Sequence, residues 1–312
     1  MAKAPFQYNP TLTGIALAFQ NPTTALIADQ VLPCVPVATE NFGYLSFPTE
    51  DAYTLPDTKV GRTSRVNQAE FGGTLLTDTT EDYGLEDPIP QKDIVNAAKI
   101  GFDPEAKATS YLTNLILLDR EVRAANLVFN AATYAAANKT TLSGTGQWSD
   151  PASDPAAVIL AAADQLLFRP NTLVLGRATW TALRQNINLV KKILGTASNS
   201  GLLTRQQVAD AFELNQILIG DGWLNTARKG QTANMARAWG KHATLLYLDP
   251  TADTDRGVTF GYTAEFENRI AGTILNDPDI GLRGGVRVRV GMSVKEKVIA
   301  PQLGYFWQNA TA

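Results

Sequence analysis

A chain of 312 residues with 45% hydrophobic content is long enough to bury a sizeable core, and its length predicts two domains or one with long excursions. Its 27 basic and 30 acidic residues leave a formal net charge of -3, which excludes a protein built as a whole to bind nucleic acid or an anionic membrane. One histidine and one cysteine exclude an internal disulfide and a structural zinc site, whose ligand sets take four such residues.

The amino terminus, "MAKAPFQYNPTLTGIALAFQNP", has one lysine and a short apolar run interrupted by Gln20 and Pro22. It reads as neither signal peptide nor membrane span, so a soluble chain made in the cytosol is expected. Residues 1–60 contain Pro5, Pro10, Pro22, Pro33, Pro36, Pro48 and Pro56, which remove backbone donors and favour extended chain. The prediction is an arm over residues 1–41 without a core of its own. Its apolar residues Phe6, Tyr8, Leu12, Ile15, Leu17, Phe19 and Ile27 are expected to bury against neighbours, so that deleting residues 1–35 spares the monomer. Cys34, with no basic residue near it in sequence, reads as a plain buried thiol.

Residues 41–90 hold two stretches of strand-like composition around a polar, charged middle, the pattern of a long hairpin or an extended loop. The acidic run "DTTEDYGLEDPIPQKD" reads as a solvated edge that a basic partner could meet. Residues 105–138 contain no glycine or proline, and Tyr111, Leu115, Leu118, Val122, Ala125, Phe129, Ala132 and Ala136 recur at steps of four and three. This predicts one long helix of roughly 50 Å with an apolar stripe.

The turn-rich "KTTLSGTGQWSDPASDP" reads as a hinge. Beyond it "DPAAVILAAADQLL" and "RATWTALRQNINLVKKIL" are helical and "PNTLVLG" is a short buried strand. "TRQQVADAFEL" with "QILIG" repeats the helix-then-strand order, giving an α/β module over residues 153–275 that continues through strand-like "HATLLYLDP" and "VTFGYTAEFENRI". The strand "GGVRVRVGMSVKEKVIA" alternates strictly, with Val286, Val288, Val290, Met292 and Val294 on one face and Arg287, Arg289, Lys295 and Lys297 on the other. Aromatic "LGYFWQNA" reads as an anchor that pins the terminus into the core.

No catalytic motif emerges. His242, at the mouth of a strand, reads as a structural imidazole, since no nucleophile motif accompanies it. Asp249, Asp253 and Asp255 lack a complete calcium-loop pattern and read as a solvated loop. No catalytic, cofactor-binding or metal-binding residue is predicted.

In order and partly in wording, the chain resembles the major capsid proteins of tailed bacteriophages, with the Hong Kong 97-like fold. The resemblance is carried by "YNPTLTGIALAFQNPTTALIADQVLPCVPV", by "YGLEDPIPQKDIVNA" ahead of the long helix, by "PNTLVLGRATWTAL" and by "GGVRVRVGMSVKEKVIAPQLGYFW". It implies an α+β capsid fold made of an arm (1–41), an extended loop over a neighbouring subunit (42–80) and a discontinuous peripheral domain (81–152 with the spine helix, and 276–312). Residues 153–275 would be the axial domain around fivefold and sixfold axes.

The function implied is self-assembly, in the host cytoplasm, of an icosahedral head shell of hexamers and pentamers in the virion. Its expected partners are other copies of the chain, portal and scaffolding proteins, decoration proteins, and packaged double-stranded DNA held without sequence preference; no membrane is involved. A bacterial nanocompartment shell is the second reading, and an α/β enzyme the third. Some relatives form a covalent lysine–asparagine link; Lys59 is a candidate lysine, but no partner asparagine or catalytic glutamate matches, so none is predicted. The basic row Arg287, Arg289, Lys295 and Lys297 is expected to meet Asp78, Glu81, Asp82, Glu86 and Asp87, or another copy's acids, and to set the register between subunits.

Overall fold

Prolines keep the amino-terminal elements short: β1 is Gln7–Tyr8, α1 is Ala28–Val31 and β2 is Cys34–Val37. The computed structural model describes residues 7–8, 26–46, 53–68, 74–99, 103–195, 201–228, 230–254 and 257–312. Most of the predicted arm therefore lies outside the described residues, including Phe6, Leu12, Ile15, Leu17 and Phe19. The root of the arm differs from expectation, because Ile27, Ala28, Val31 and Leu32 are buried in the core of their own chain. Removing residues 1–35 thus takes out part of the subunit's core rather than sparing it.

β3 (Asn41–Ser46) and β4 (Thr74–Thr79) pair antiparallel, from Asn41 opposite Thr79 to Ser46 opposite Thr74, as in the predicted long hairpin. The acidic run is itself a strand, β5 (Glu81–Pro90), followed by α2 (Gln91–Ala98).

Asp103 starts α3 (Pro104–Val128) by accepting the backbone N–H groups of Glu105 at 3.0 Å and Ala106 at 3.1 Å, and Pro104 sits where its missing donor costs nothing. The spine helix is shorter than the predicted 105–138. It ends at Val128, after about 37 Å. Asn130 then accepts the N–H of Ala132 at 2.9 Å and starts a separate 3-10 turn, so a side-chain cap ends the helix where no glycine or proline does.

The buried stripe also runs along a different line. Leu112, Ile116, Ala124 and Val128 are buried with Thr109, Thr113, Arg120 and Glu121, while Tyr111 is 60% exposed. Four polar residues on the buried face hid it from an apolar count.

The module that follows contains β6 (Lys139–Thr141), α4 (Pro155–Gln165), β7 (Thr172–Gly176), α5 (Arg177–Gln185), α6 (Ile187–Leu194), α7 (Arg205–Ala211) and β8 (Gln216–Gly220). The hairpin β9 (Trp223–Asn225) and β10 (Met235–Arg237) precedes β11 (Ala243–Leu246). The last strands are β12 (Gly261–Asp277), β13 (Gly285–Val298) and β14 (Gly304–Gln308).

One five-stranded sheet has the order β6-β14-β11-β7-β8. Two boundaries move as a result. The supposed hinge contributes β6 and the buried Leu142 and Trp148, so its small residues shape a packed edge rather than a linker. The final strand β14 belongs to this sheet and not to the one built on β13, and its Tyr305, Phe306 and Trp307 are buried, as the anchor reading requires. The predicted helix over 177–194 is two helices, because Asn186 turns extended (φ -61°, ψ 120°) and caps α6 by accepting the N–H groups of Asn188 and Leu189.

The other sheet has the order β1-β12-β13-β5, with β2 parallel to β12, so residues 261–275 fall outside the α/β sheet. Val286, Val288, Val290, Met292 and Val294 are buried with Leu112, Ile116 and Leu117 of α3, which fixes which face of β13 looks outward.

Candidate assembly surface

The outward face of β13 carries the basic row, and β5 lies antiparallel beside it, so the acidic run falls opposite the cations. Arg289 stands directly across from Glu86 and pairs with it. Arg287 reaches Asp277 Oδ2 at 2.7 Å and Glu86 Oε2 at 3.4 Å. Lys295 pairs with Glu81, and Lys297 Nζ lies 2.6 Å from Asp78 Oδ2.

The row is therefore matched within one chain, and its first effect is to set the β5–β13 register. Asp82 and Asp87 have no ion pair among the described residues. Of the nine residues named from the sequence, all but Asp82 and Asp87 form these pairs; Asp277 is not among the nine, and it reaches Arg287 only because β12 folds back on β13.

Lys295 donates to Glu81 and holds its carboxyl below the ordinary range. For Asp78, partial burial acts upward but is outweighed by the hydrogen bonds from Lys297 and the Thr79 N–H, and the net direction is down. Both folded values lie below the unfolded ones. Their contribution is complete above the ordinary carboxylate value and is lost as pH falls through the lowered values. Arg289→Glu sets two acids opposite each other and is expected to cost about 1 kcal/mol, or roughly 2–4 °C in the melting midpoint of the isolated subunit. An unchanged midpoint would mean that the ladder contributes nothing within the chain.

A second polar cluster ties three parts of the chain together. Glu121, fully buried on α3, accepts the backbone N–H groups of Ile27 and Ala28 at 2.8 Å each and the indole N–H of Trp239 at 2.5 Å. Its neighbour Arg120 pairs with Asp29, donates to Thr263 Oγ1 at 3.2 Å and to Cys34 Sγ at 3.2 Å. Cys34 is an exposed residue rather than a plain buried thiol, yet its Sγ turns toward the buried Arg120, and desolvation raises its pKa to about 11.

His242 Nδ1 accepts the backbone N–H of Asn309 at 3.0 Å, and its ring lies edge-on to Phe129 at 5.5 Å. Burial lowers its pKa, which favours the neutral imidazole, and the two contacts tie the ring to the end of the last strand and to the end of the spine. Among the described residues no group of three or more His, Cys, Asp or Glu is placed to hold a metal, and no helix is long and apolar enough to cross a membrane.

Residues 53–68, between β3 and β4, are exposed throughout. They include Leu55 at 94% exposure and Val66 at 74%.

The family described as phage major capsid protein E matches residues 128–256. The major capsid protein of Pseudomonas phage JBD67 is 50% identical over 312 residues, which span all of both chains. The chain belongs to the phage major capsid proteins. Among solved structures, a phage-related protein from Bordetella bronchiseptica RB50 superposes with a TM-score of 0.74 at 20% identity, covering 98% of this chain and 99% of that one. The capsid of cyanophage P-SCSP1u gives 0.60 at 10% identity, with coverages of 93% and 89%.

These likenesses agree with the α+β, Hong Kong 97-like fold. This capsid chain is a shell subunit of a phage virion; the family displaces the nanocompartment reading and favours a structural protein over the enzyme reading.

Proposed function

We propose that copies of this chain gather into hexamers and pentamers and close an icosahedral head shell around double-stranded DNA, working without catalysis and without a cofactor. The sheet of β7, β8, β11 and β14 with its helices serves as the axial domain. The sheet of β5, β12 and β13 with α3 serves as the peripheral domain. Residues 42–80 form the loop that overlies a neighbouring subunit. The charged face carrying Arg287, Arg289, Lys295, Lys297, Asp78, Glu81, Asp82, Glu86 and Asp87 faces subunit contacts as well as its own strands. Portal and scaffolding proteins, decoration proteins and the packaged genome are the further partners, met during assembly in the host cytoplasm. Contact with DNA is weak and without sequence preference, given the net charge of -3.

The observation that carries this reading is the loop. Sixteen consecutive residues, 53–68, all exposed and including Leu55 and Val66, gain nothing by standing off their own subunit. They repay their ordering only by burying surface on another copy. Replacing residues 53–68 with a short Gly-Ser turn is expected to leave the melting midpoint of the subunit unchanged and to abolish particles seen by sedimentation and negative-stain microscopy. Normal particles from the shortened chain would overturn the assignment of the loop.

A further inference from the structure

The tip of the loop is cationic and self-closed. Asn67 Nδ2 donates to the Asp57 carbonyl at 2.6 Å, and the Ser64 N–H donates to the Gly61 carbonyl at 3.1 Å, which places Arg62 and Thr63 at the centre of a turn. Lys59, Arg62 and Arg65 stand on this tip, exposed, and have no ion pair among the described residues. The one acid within the closed tip is Asp57, whose carboxylate already accepts the Lys59 N–H at 3.0 Å.

On the outward face of the β5–β13–β12 sheet lies a groove of about 440 Å³. Two glycines lie side by side at its floor, Gly84 opposite Gly291, and Ile270 follows in the next strand where β12 bulges between Phe266 and Ile270. Gly84 is not at positive φ, and an added Cβ would meet nothing nearer than the Val290 carbonyl oxygen at 3.5 Å, an ordinary contact. The fold does not require that glycine, but an open groove does.

The walls carry three exposed carboxylates, Glu40, Asp82 and Glu267, none with an ion pair among the described residues. The one cation on the walls, Arg289, is already paired with Glu86. Phe266 and Ile270 add an apolar side that suits the exposed Val60 and Val66 of the tip.

We propose that the cationic tip of one copy, with Lys59, Arg62 and Arg65, seats in the acidic groove over Gly84 and Gly291 of a second copy. The proposal rests on reading residues 53–68 as an element that lies over a neighbour, and it names the place where they land. The occupant is another copy, because the tip is exposed on its own subunit and three unpaired cations match three unpaired carboxylates.

The test is a charge swap. One chain carries Lys59→Glu, Arg62→Glu and Arg65→Glu, a second carries Glu40→Lys, Asp82→Lys and Glu267→Lys, and a third carries all six. Each one-sided reversal is expected to cut particle yield at least about tenfold, by sedimentation and negative stain, and the sixfold variant to restore it. A second probe, Gly84→Val, fills the groove without changing charge; it is expected to lower particle yield while the melting midpoint of the subunit stays put. It decides the matter if the groove reversal fails to fold.

Normal particles from the loop reversal, or a sixfold variant no better than either half, would overturn the proposal. If excision of residues 53–68 abolishes particles while the sixfold variant is not rescued, the loop reading stands and this seat is wrong. If excision leaves particles intact, both fall.

Discussion

Glu121→Leu is expected to destabilise the subunit by about 3–6 kcal/mol, because it orphans three donors at a fully buried position. The N–H groups of Ile27 and Ala28 open α1, whose own N-cap residue supplies no side-chain cap, so the Glu121 carboxylate caps that helix from 93 residues away. The third donor, the Trp239 indole, joins the spine to the loop before β11. Loss of all three should lower the melting midpoint by roughly 10 °C. It should also free the root of the arm, seen as amide exchange at residues 27–32. Glu121→Gln keeps one carbonyl acceptor and should cost less.

Burial raises the Glu121 pKa, against the opposing effect of its N–H partners. A raised folded value means that its contribution is full below the ordinary carboxylate range and shrinks as pH rises through the raised value. Melting midpoints of the wild type and Glu121→Gln should therefore draw together as pH rises above the ordinary carboxylate range. A leucine variant as stable as the wild type would refute the role of this cluster.

The second large effect is expected at the carboxyl terminus. Trp307 is fully buried in β14 and packs on Trp148 at 5.4 Å and Tyr305 at 5.0 Å between ring centroids. Neither indole N–H of the tryptophan pair has a hydrogen-bond partner among the described residues, so the contact between the two rings is one of packing. Trp307→Ala is expected to cost about 3–5 kcal/mol in the chemical denaturation of the subunit. Trp148→Ala should cost a similar amount, and the double variant less than the sum, since each loses the same contact. Additive losses would mean that the segment over 139–155 does not pack on the final strand.

Elements with a strict period were legible in the sequence. The alternation of β13 names the buried valines, and the short apolar run of β7 names a strand buried at all five residues. What failed depended on contacts distant in sequence. The buried face of α3 was misplaced because Arg120 and Glu121 look like surface residues until Asp29 and residues 27–28 arrive to pair with them. The stretch over 139–155 has the composition of a linker, and only the pairing of β6 with β14 makes it part of a sheet.

The charged row was visible, yet the partner strand was not, because an acidic run such as β5 does not read as a strand by hydrophobic pattern. The groove over Gly84 and Gly291 was invisible for the same reason. Those glycines are 207 positions apart and meet only through strand register.

The assembled particle tests the account most directly. A cryo-electron microscopy map of the shell formed by this chain is predicted to place residues 57–67 of each copy on the outward β5–β13 face of another, with hexamers and pentamers built on the sheet of β7, β8, β11 and β14. A shell in which that loop folds back on its own subunit, or leaves Glu40, Asp82 and Glu267 of every neighbour open to solvent, would contradict it.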